Sequence, residues 1–178
     1  MTKKTSAIVL RSGILIVLCV LTVFLIKFRD QVQQFGKYGY PGIFLVSLFS
    51  NATLIFPIPG VVFASAMGAV FNPFWVAVAS GSGAAVGELT GYLAGFSGQI
   101  IIENRAWYDR LVEVMRKYGE VTILVLAFIP NPVFDLTGMA AGMLKMPLVK
   151  FLTWCLLGKT LKMLFFSYTG ASIFNLFR

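Results

Sequence analysis

The sequence predicts an all-α integral membrane protein. Its plan is an inverted repeat of a re-entrant broken-helix hairpin plus a transmembrane helix, with interfacial amphipathic helices. Three observations predict it. Of 178 residues, 58% are hydrophobic and only 12% charged, with mean hydropathy +0.84, a composition of membrane proteins rather than soluble domains. Two apolar stretches are each broken by a P-x-P step, Pro57 and Pro59 in the first, Pro130 and Pro132 in the second. And the two halves of the chain repeat the same landmarks in the same order.

Residues 7–26 are nearly all apolar and long enough to span. Lys3 and Lys4 imitate the basic start of a signal peptide, but the run is too long and LIKFRDQ offers no small-residue cleavage site. A retained first transmembrane helix is the expectation. In FRDQVQQFGKYGYP (28–41), Phe28, Val32 and Phe35 share one helical face, which suits a helix lying on the membrane surface. Residues 42–56 and 61–71 flank PIPG. Proline removes a backbone donor and breaks a helix, and each half is too short to span comfortably. Such a hairpin persists in lipid only where protein or a polar cavity satisfies its free backbone groups.

Residues 74–102 are long enough to cross. Within them Gly83, Gly87, Gly91 and Gly95 recur every four positions, with one acid, Glu88, among them. Small residues at that spacing let neighbouring helices approach closely. Residues 103–120 are the most charged stretch. There Trp107, Leu111, Val114, Met115 and Tyr118 keep helical spacing, which predicts an amphipathic interfacial helix. A second broken segment covers 121–144 around IPNP (129–132). A last apolar run, 148–174, crosses again and contains Lys159 and Lys162.

The landmarks of the repeat are specific. Lys37-Tyr38-Gly39 closes the first surface helix and Lys117-Tyr118-Gly119 the second. A P-x-P break follows each, then Gly68 and Pro73 in one half, Gly142 and Pro147 in the other. Fifteen residues past that proline stands a charge, Glu88 in the first half and Lys162 in the second. A hairpin returns to its starting side while the spanning helix crosses, so the second unit begins on the opposite face. Inverted repeats with broken helices meeting near the midplane are a transporter arrangement. The bases divide unevenly between the two faces: Lys3, Lys4, Arg11, Arg105, Arg110, Arg116, Lys117, Lys145 and Lys150 against Lys27, Arg29, Lys37 and Arg178. The positive-inside rule then puts the N-terminus in the cytoplasm and the C-terminus outside.

Several function classes fall away. There is no histidine, which removes imidazole metal sites, Ser-His catalysis and histidine relays. Cys19 and Cys155 lie inside apolar segments and form no CxxC pattern. The net charge of +8 comes without a dense basic run, and the bases flank apolar stretches, as they do when they set topology rather than bind nucleic acid. GKT (158–160) lacks the P-loop glycine, since Thr153 stands five residues before Gly158. Asn51-Ala52-Thr53 is a glycosylation sequon in form, but it sits in a hairpin with no room for an oligosaccharide. No nucleophile stands near a base. The expectation is no enzyme, no metal and no cofactor. The expected partners are membrane lipids, with no soluble partner identifiable and a homo-oligomer compatible with the sequence.

Glu88 is the sharpest candidate. Ionisable groups at bilayer depth are costly and face a bundle interior or a water-filled path. Glu88 and Tyr92, one turn apart, lie along the glycine seam, and a buried carboxylate there can exchange a proton. The competing assignment is a static ion pair with a lysine. Asp135 follows the second break near the start of a half-helix, where the dipole favours a negative charge. It can equally cap that half-helix. Lys159 and Lys162 share one helical face. They can balance Glu88 and Asp135, hold an anionic headgroup, or snorkel.

The stretches FPIPG, AMGAVFNP, GELTGYLAG and FIPNPVFDLTGMAAGM together resemble the DedA-like, VTT-domain ("SNARE-associated Golgi protein") membrane proteins. The resemblance covers roughly residues 35–175. It divides the chain into residues 1–34, a transmembrane helix and interfacial segment, and a VTT-like membrane domain over 35–178, with repeats about 35–102 and 103–178. The resemblance implies two opposed re-entrant hairpins and movement of phospholipids or lipid carriers between leaflets, scramblase- or flippase-like, with proton linkage in some members. Glu88 matches the family's acid before G-Y-x-x-G, Asp135 the acid after the second break, and Lys159 and Lys162 its basic positions in the last helix. The departures are Val61, where an acid often follows P-G; Ala127 and Val133, where arginines flank the second break; and Phe96, where a base commonly ends the G-Y-x-x-G stretch. These favour a passive or weakly coupled lipid path, while the net charge of +8 and the one signal-anchor-like helix suit a bacterial inner membrane, with an organellar membrane as the alternative. The rivals are a proton- or ion-coupled transporter of a small solute and a non-transporting membrane scaffold.

Overall fold

The computed structural model describes residues 36–52, 60–98, 105–130 and 134–176, and among these every regular element is helical. The expected first helix, Pro57, Pro59 and Pro132 lie outside the described residues. Among the described residues seven helices stand in order: α1 (Gly36–Ala52), α2 (Gly60–Val70), α3 (Pro73–Gly87), α4 (Leu89–Phe96), α5 (Arg105–Phe128), α6 (Phe134–Met143) and α7 (Leu148–Leu176).

Local chemistry sets the ends. The Asn72 side chain accepts from the N–H groups of Phe74 at 3.0 Å and Trp75 at 3.5 Å, with Pro73 at the first helical position, an N-cap followed by the residue that lacks an orphan donor. α3 and α4 form one rod loosened at Glu88, because the bonds Glu88 N–H to Ala84 O (3.2 Å) and Tyr92 N–H to Glu88 O (3.1 Å) carry the ladder across. The rod ends at Phe96, short of residue 102, where Gly98 at φ +74° turns the chain. α6 ends with Lys145 N–H bonded to Gly142 O and Met146 N–H to Ala141 O, with Lys145 at φ +52°. This is a Schellman closure with lysine where glycine is usual.

The surface helix stops at the motif Lys117-Tyr118-Gly119, where the Tyr118 backbone is not helical and a second helical stretch begins. α5 is kinked at Tyr118 (φ −128°, ψ 23°), so the surface helix and the first arm of the second hairpin meet there directly. Glycine beside a kink is a recognised cause of bending.

Close approaches fix the directions of the helices. A Cβ at Gly83 would fall on Phe44 O, and one at Gly87 on Leu48 O, so α1 runs parallel to α3. Gly81 lies on Thr160, and Ser167 Oγ donates to Pro73 O at 2.9 Å, so α3 and α7 run antiparallel. Lys150 pairs with Glu120, and Gly158 packs on Leu124 and Ala127, so α5 and α7 are parallel. Gly91 and Gly95 meet Asp135 O and Met139 O, so α6 follows α4. Gly60 lies against the Met163 side chain, Ser65 Oγ donates to Phe166 O at 3.0 Å and Gly170 meets Ser65, so α2 runs along α7 in the same sense. α1 and α2 are therefore antiparallel to each other, and so are α5 and α6.

These contacts come in matched pairs. Gly83 on Phe44 corresponds to Gly158 on Leu124. Gly95 on Met139 corresponds to Gly170 on Ser65, and Gly142 on Tyr92 to Gly68 on Ser167. The second hydrogen-bonded arm matches too, Tyr92 Oη to Met146 O and Ser167 Oγ to Pro73 O. The short arm of each half thus packs on the long helix of the other.

No helix among the described residues is long and apolar enough to cross a membrane. The expected spans over 74–102 and 148–174 differ from this in distinct ways. The first is divided into 15- and 8-residue helices. The second reaches 29 residues in α7, where Lys150, Lys159, Lys162 and a small polar C-terminal stretch dilute the apolar character.

Candidate functional site

Glu88 stands at the α3–α4 junction, where helices from both halves meet. The glycine seam divides there. Gly83 and Gly87 admit α1, and Gly91 and Gly95 admit α6. A side chain at those positions would push the flanking helices away from the carboxylate.

The Glu88 carboxylate is 2% exposed and accepts a hydrogen bond from Lys159 Nζ at 2.5 Å. Lys159, itself 3% exposed, donates a second bond to Asn51 Oδ1 at 2.9 Å, and its ammonium lies 4.5 Å from the centre of the Phe134 ring. Asn51 Nδ2 donates to Ser47 O at 2.8 Å, which turns the amide oxygen toward the lysine. A buried ion pair needs its remaining donors satisfied before attraction can offset lost hydration. Asn51 and the ring face of Phe134 do that here.

Lys162 lies one turn along α7, also buried, and Asp135 sits half-buried in the first turn of α6. The Asp135 carboxylate is within electrostatic reach of Lys159, Lys162 and Glu88. Neither Lys162 nor Asp135 forms an ion pair within 4.0 Å among the described residues. The structure therefore brings all four sequence-nominated charges together, two acids and two bases. One pair is locked and the other is loose. Asp135 at the N-terminal turn of α6 also gains from the helix dipole.

Tyr92 points elsewhere. Its hydroxyl donates to Met146 O at 2.5 Å and its ring stacks on Phe151 at 5.1 Å, inside the cluster formed by α5, α6 and α7. Pro130 is exposed in the α5–α6 connection. Sequence reasoning passed over Asn51, Ser47 and Phe134. The Ser47 hydroxyl is buried with no hydrogen-bond partner among the described residues. The available signal was an amide four residues after a serine, on one helical face of an otherwise apolar stretch.

Around this interior much of the surface is apolar, with exposed charges gathered on α5 and at Lys145 and Lys150. Trp75, Leu93, Val121, Val149, Leu161 and Phe165 are all exposed. Charge inside and apolar side chains outside is the reverse of a water-soluble protein, and it suits a lipid surround.

Comparison with known proteins agrees with this picture. The VTT domain family profile matches residues 58–172. An uncharacterized membrane protein of Buchnera aphidicola subsp. Schizaphis graminum is 31% identical over 129 residues, covering 64% of this chain and 50% of that protein. The chain spans about half the length of this curated relative. No solved structure matches. With the match extending over well over half its length, the chain belongs to the VTT-domain family of membrane proteins.

Proposed function

We propose that the protein moves lipids, a phospholipid or a lipid carrier, between bilayer leaflets, scramblase- or flippase-like. The observation that carries this reading is the buried, charge-balanced group of Glu88, Lys159, Asp135 and Lys162 inside a bundle whose surface is largely apolar. A lipid crossing a bilayer must keep its headgroup off the hydrocarbon while its chains stay in it. A polar interior bounded by closely packed helices answers the first need, and a largely apolar exterior answers the second. In this reading α1–α2 and α5–α6 are re-entrant hairpins of inverted repeats. The matched glycine contacts and the opposed directions of the two halves support that arrangement. The N-terminus is cytoplasmic and the membrane a bacterial inner membrane.

Lys162, which has no ion-pair partner among the described residues, receives a headgroup phosphate. Asp135 competes for it and releases it. The Glu88–Lys159 pair holds α3, α4 and α7 in register beside that path. Asp135 and Glu88 are the groups that can take up a proton during passage, and traffic is proton-linked where either does so. Nothing in the reading asks the protein for covalent chemistry on its substrate.

The test is a leaflet-exchange assay. Purified protein is reconstituted into liposomes carrying a fluorescent phospholipid, a membrane-impermeant quencher is added, and wild type is compared with Glu88→Gln, Asp135→Asn and Lys162→Gln, with and without a pH gradient. Fast exchange, slowed by substitutions that leave the protein folded, is expected. Exchange no faster than in empty liposomes for the phospholipid and for a polyprenyl phosphate alike would overturn the reading. The tightness of the Glu88–Lys159 pair favours one alternative, a static scaffold, in which wild type and every variant alike would have no exchange to lose.

A further inference from the structure

The two halves match closely enough that their differences are informative. In the first half, Gly39 lies under the Phe71 ring, and Phe71 packs against Tyr40 with ring centres 5.7 Å apart. The place beside the first Lys-Tyr-Gly motif is thus filled with aromatic carbon. In the second half, the corresponding Gly119 has nothing within 4 Å of where a Cβ would stand. Lys145 takes the position that Phe71 holds, and Glu120 that of Tyr40. A pocket of about 640 Å³ opens there, lined by Arg116, Lys117, Lys145 and Lys150 with Glu120 as its one acid. Glu120 is already committed to Lys150, at 2.8 Å, and that hydrogen bond holds its carboxyl below the usual carboxylate range. The remaining charge in the pocket is positive.

Two more features single this pocket out. Lys145 adopts a left-handed backbone at φ +52°, a position where glycine avoids the cost of a side chain. Lysine stands there at that cost, at the rim of the pocket. Beside the pocket runs an apolar groove of about 460 Å³ along α5, lined by Leu111, Val114, Tyr118, Val121 and Val125 among others. Tyr118 and Val121 line both cavities, so the two adjoin at the kink.

We infer that this composite cavity is a binding site for one anionic phospholipid, with the phosphate headgroup in the basic pocket and an acyl chain along the α5 groove. The chemistry of the two parts selects the ligand. Charge complementarity calls for a phosphate, and the adjoining trough calls for a hydrocarbon chain attached to it. Basic residues at a membrane surface attract anionic lipid headgroups. The site lies in only one half of the repeat, so it binds lipid from one leaflet. It uses none of the four central charges and does not depend on leaflet exchange.

The experiment is native mass spectrometry of the full chain released from mixed micelles. Phosphatidylglycerol and phosphatidylcholine with identical chains are added at matched concentrations, with inorganic phosphate as a separate arm. Wild type is expected to retain one phosphatidylglycerol in clear preference to phosphatidylcholine. Arg116→Gln with Lys117→Gln should reduce that preference by roughly tenfold or more, since each basic residue near the surface contributes about fivefold. Lys145→Gly removes a charge while relieving the backbone, so it should reduce retention with unchanged or higher thermal stability. A fold defect and a binding defect are thereby told apart. Equal retention of the two lipids, or undiminished preference in both variants, overturns the inference. So does inorganic phosphate stabilising the protein as strongly as phosphatidylglycerol, because the groove would then contribute nothing.

Discussion

A lysine ammonium and a glutamate carboxylate in the middle of an apolar bundle are tolerated only as a pair with its spare bonds satisfied. Glu88, Lys159, Asn51 and Phe134 form that unit. Removing one partner strands the other, a loss of about 3–5 kcal/mol for buried pairs, whereas replacing both with apolar groups is often close to neutral. Glu88→Gln and Lys159→Met are therefore each expected to lower stability severely, and the double variant to lose much less than the sum. Thermal unfolding in detergent, arranged as a double-mutant cycle, checks this; additive losses would mean that the ion pair carries no coupling. The charges were legible in the sequence because a charge in an apolar run stands out without any knowledge of the fold. Their pairing was not. Lys159 and Lys162 share a face, and the approach of α1 and α6 around Glu88 selects one of them. Asn51 stayed hidden because its sequon offered a competing assignment, and because its role depends on helix contacts more than a hundred residues apart in sequence.

At the scale of elements, the glycines decide how closely the helices pack. A Cβ at Gly95 would collide with the Met139 carbonyl, and one at Gly170 with the Ser65 carbonyl, which are matched positions in the two halves. Both collisions are with backbone, which cannot rotate away. Gly95→Ala and Gly170→Ala should each cost about 1–3 kcal/mol, the range for overpacking. Gly42 in α1 has nothing within 4 Å of its missing Cβ, so Gly42→Ala should be neutral or stabilise by about 0.5–1 kcal/mol through helix propensity. Unfolding midpoints of the three variants test the pattern. A tolerated Gly95→Ala would mean that α4 and α6 are not in close contact. The helical arms and the glycine seam were readable from spacing alone. The division of the seam between α1 and α6 was not, because a four-residue repeat says that one face is small and leaves its neighbour unnamed. Lys117-Tyr118-Gly119 was legible as the point where the surface helix stops, at the non-helical Tyr118, but the direction taken beyond it was not. That direction depends on α5 having α7 to continue along.

Across the whole molecule, the repeat was visible as a handful of landmarks, and the structure adds the contacts that join them. Each short arm lies on the long helix of the other half, so neither half closes a core by itself. The sense of the repeat relative to the membrane has a direct consequence for Tyr38 and Tyr118, which occupy matched positions and are both exposed. If the halves are inverted across the bilayer, these residues face opposite sides. In a background of Cys19→Ser and Cys155→Ala, Tyr38→Cys and Tyr118→Cys would each be expressed in intact cells and treated with a membrane-impermeant maleimide. Tyr38→Cys is expected to label from outside and Tyr118→Cys only after the membrane is opened, following the excess of basic residues on the Tyr118 side. Reversal of the two would keep the inversion and turn the protein over in the membrane. Labelling of both from one side would remove the inversion itself. The helical directions would then belong to a bundle that meets the membrane from one face, and the buried charges would have no second leaflet to serve.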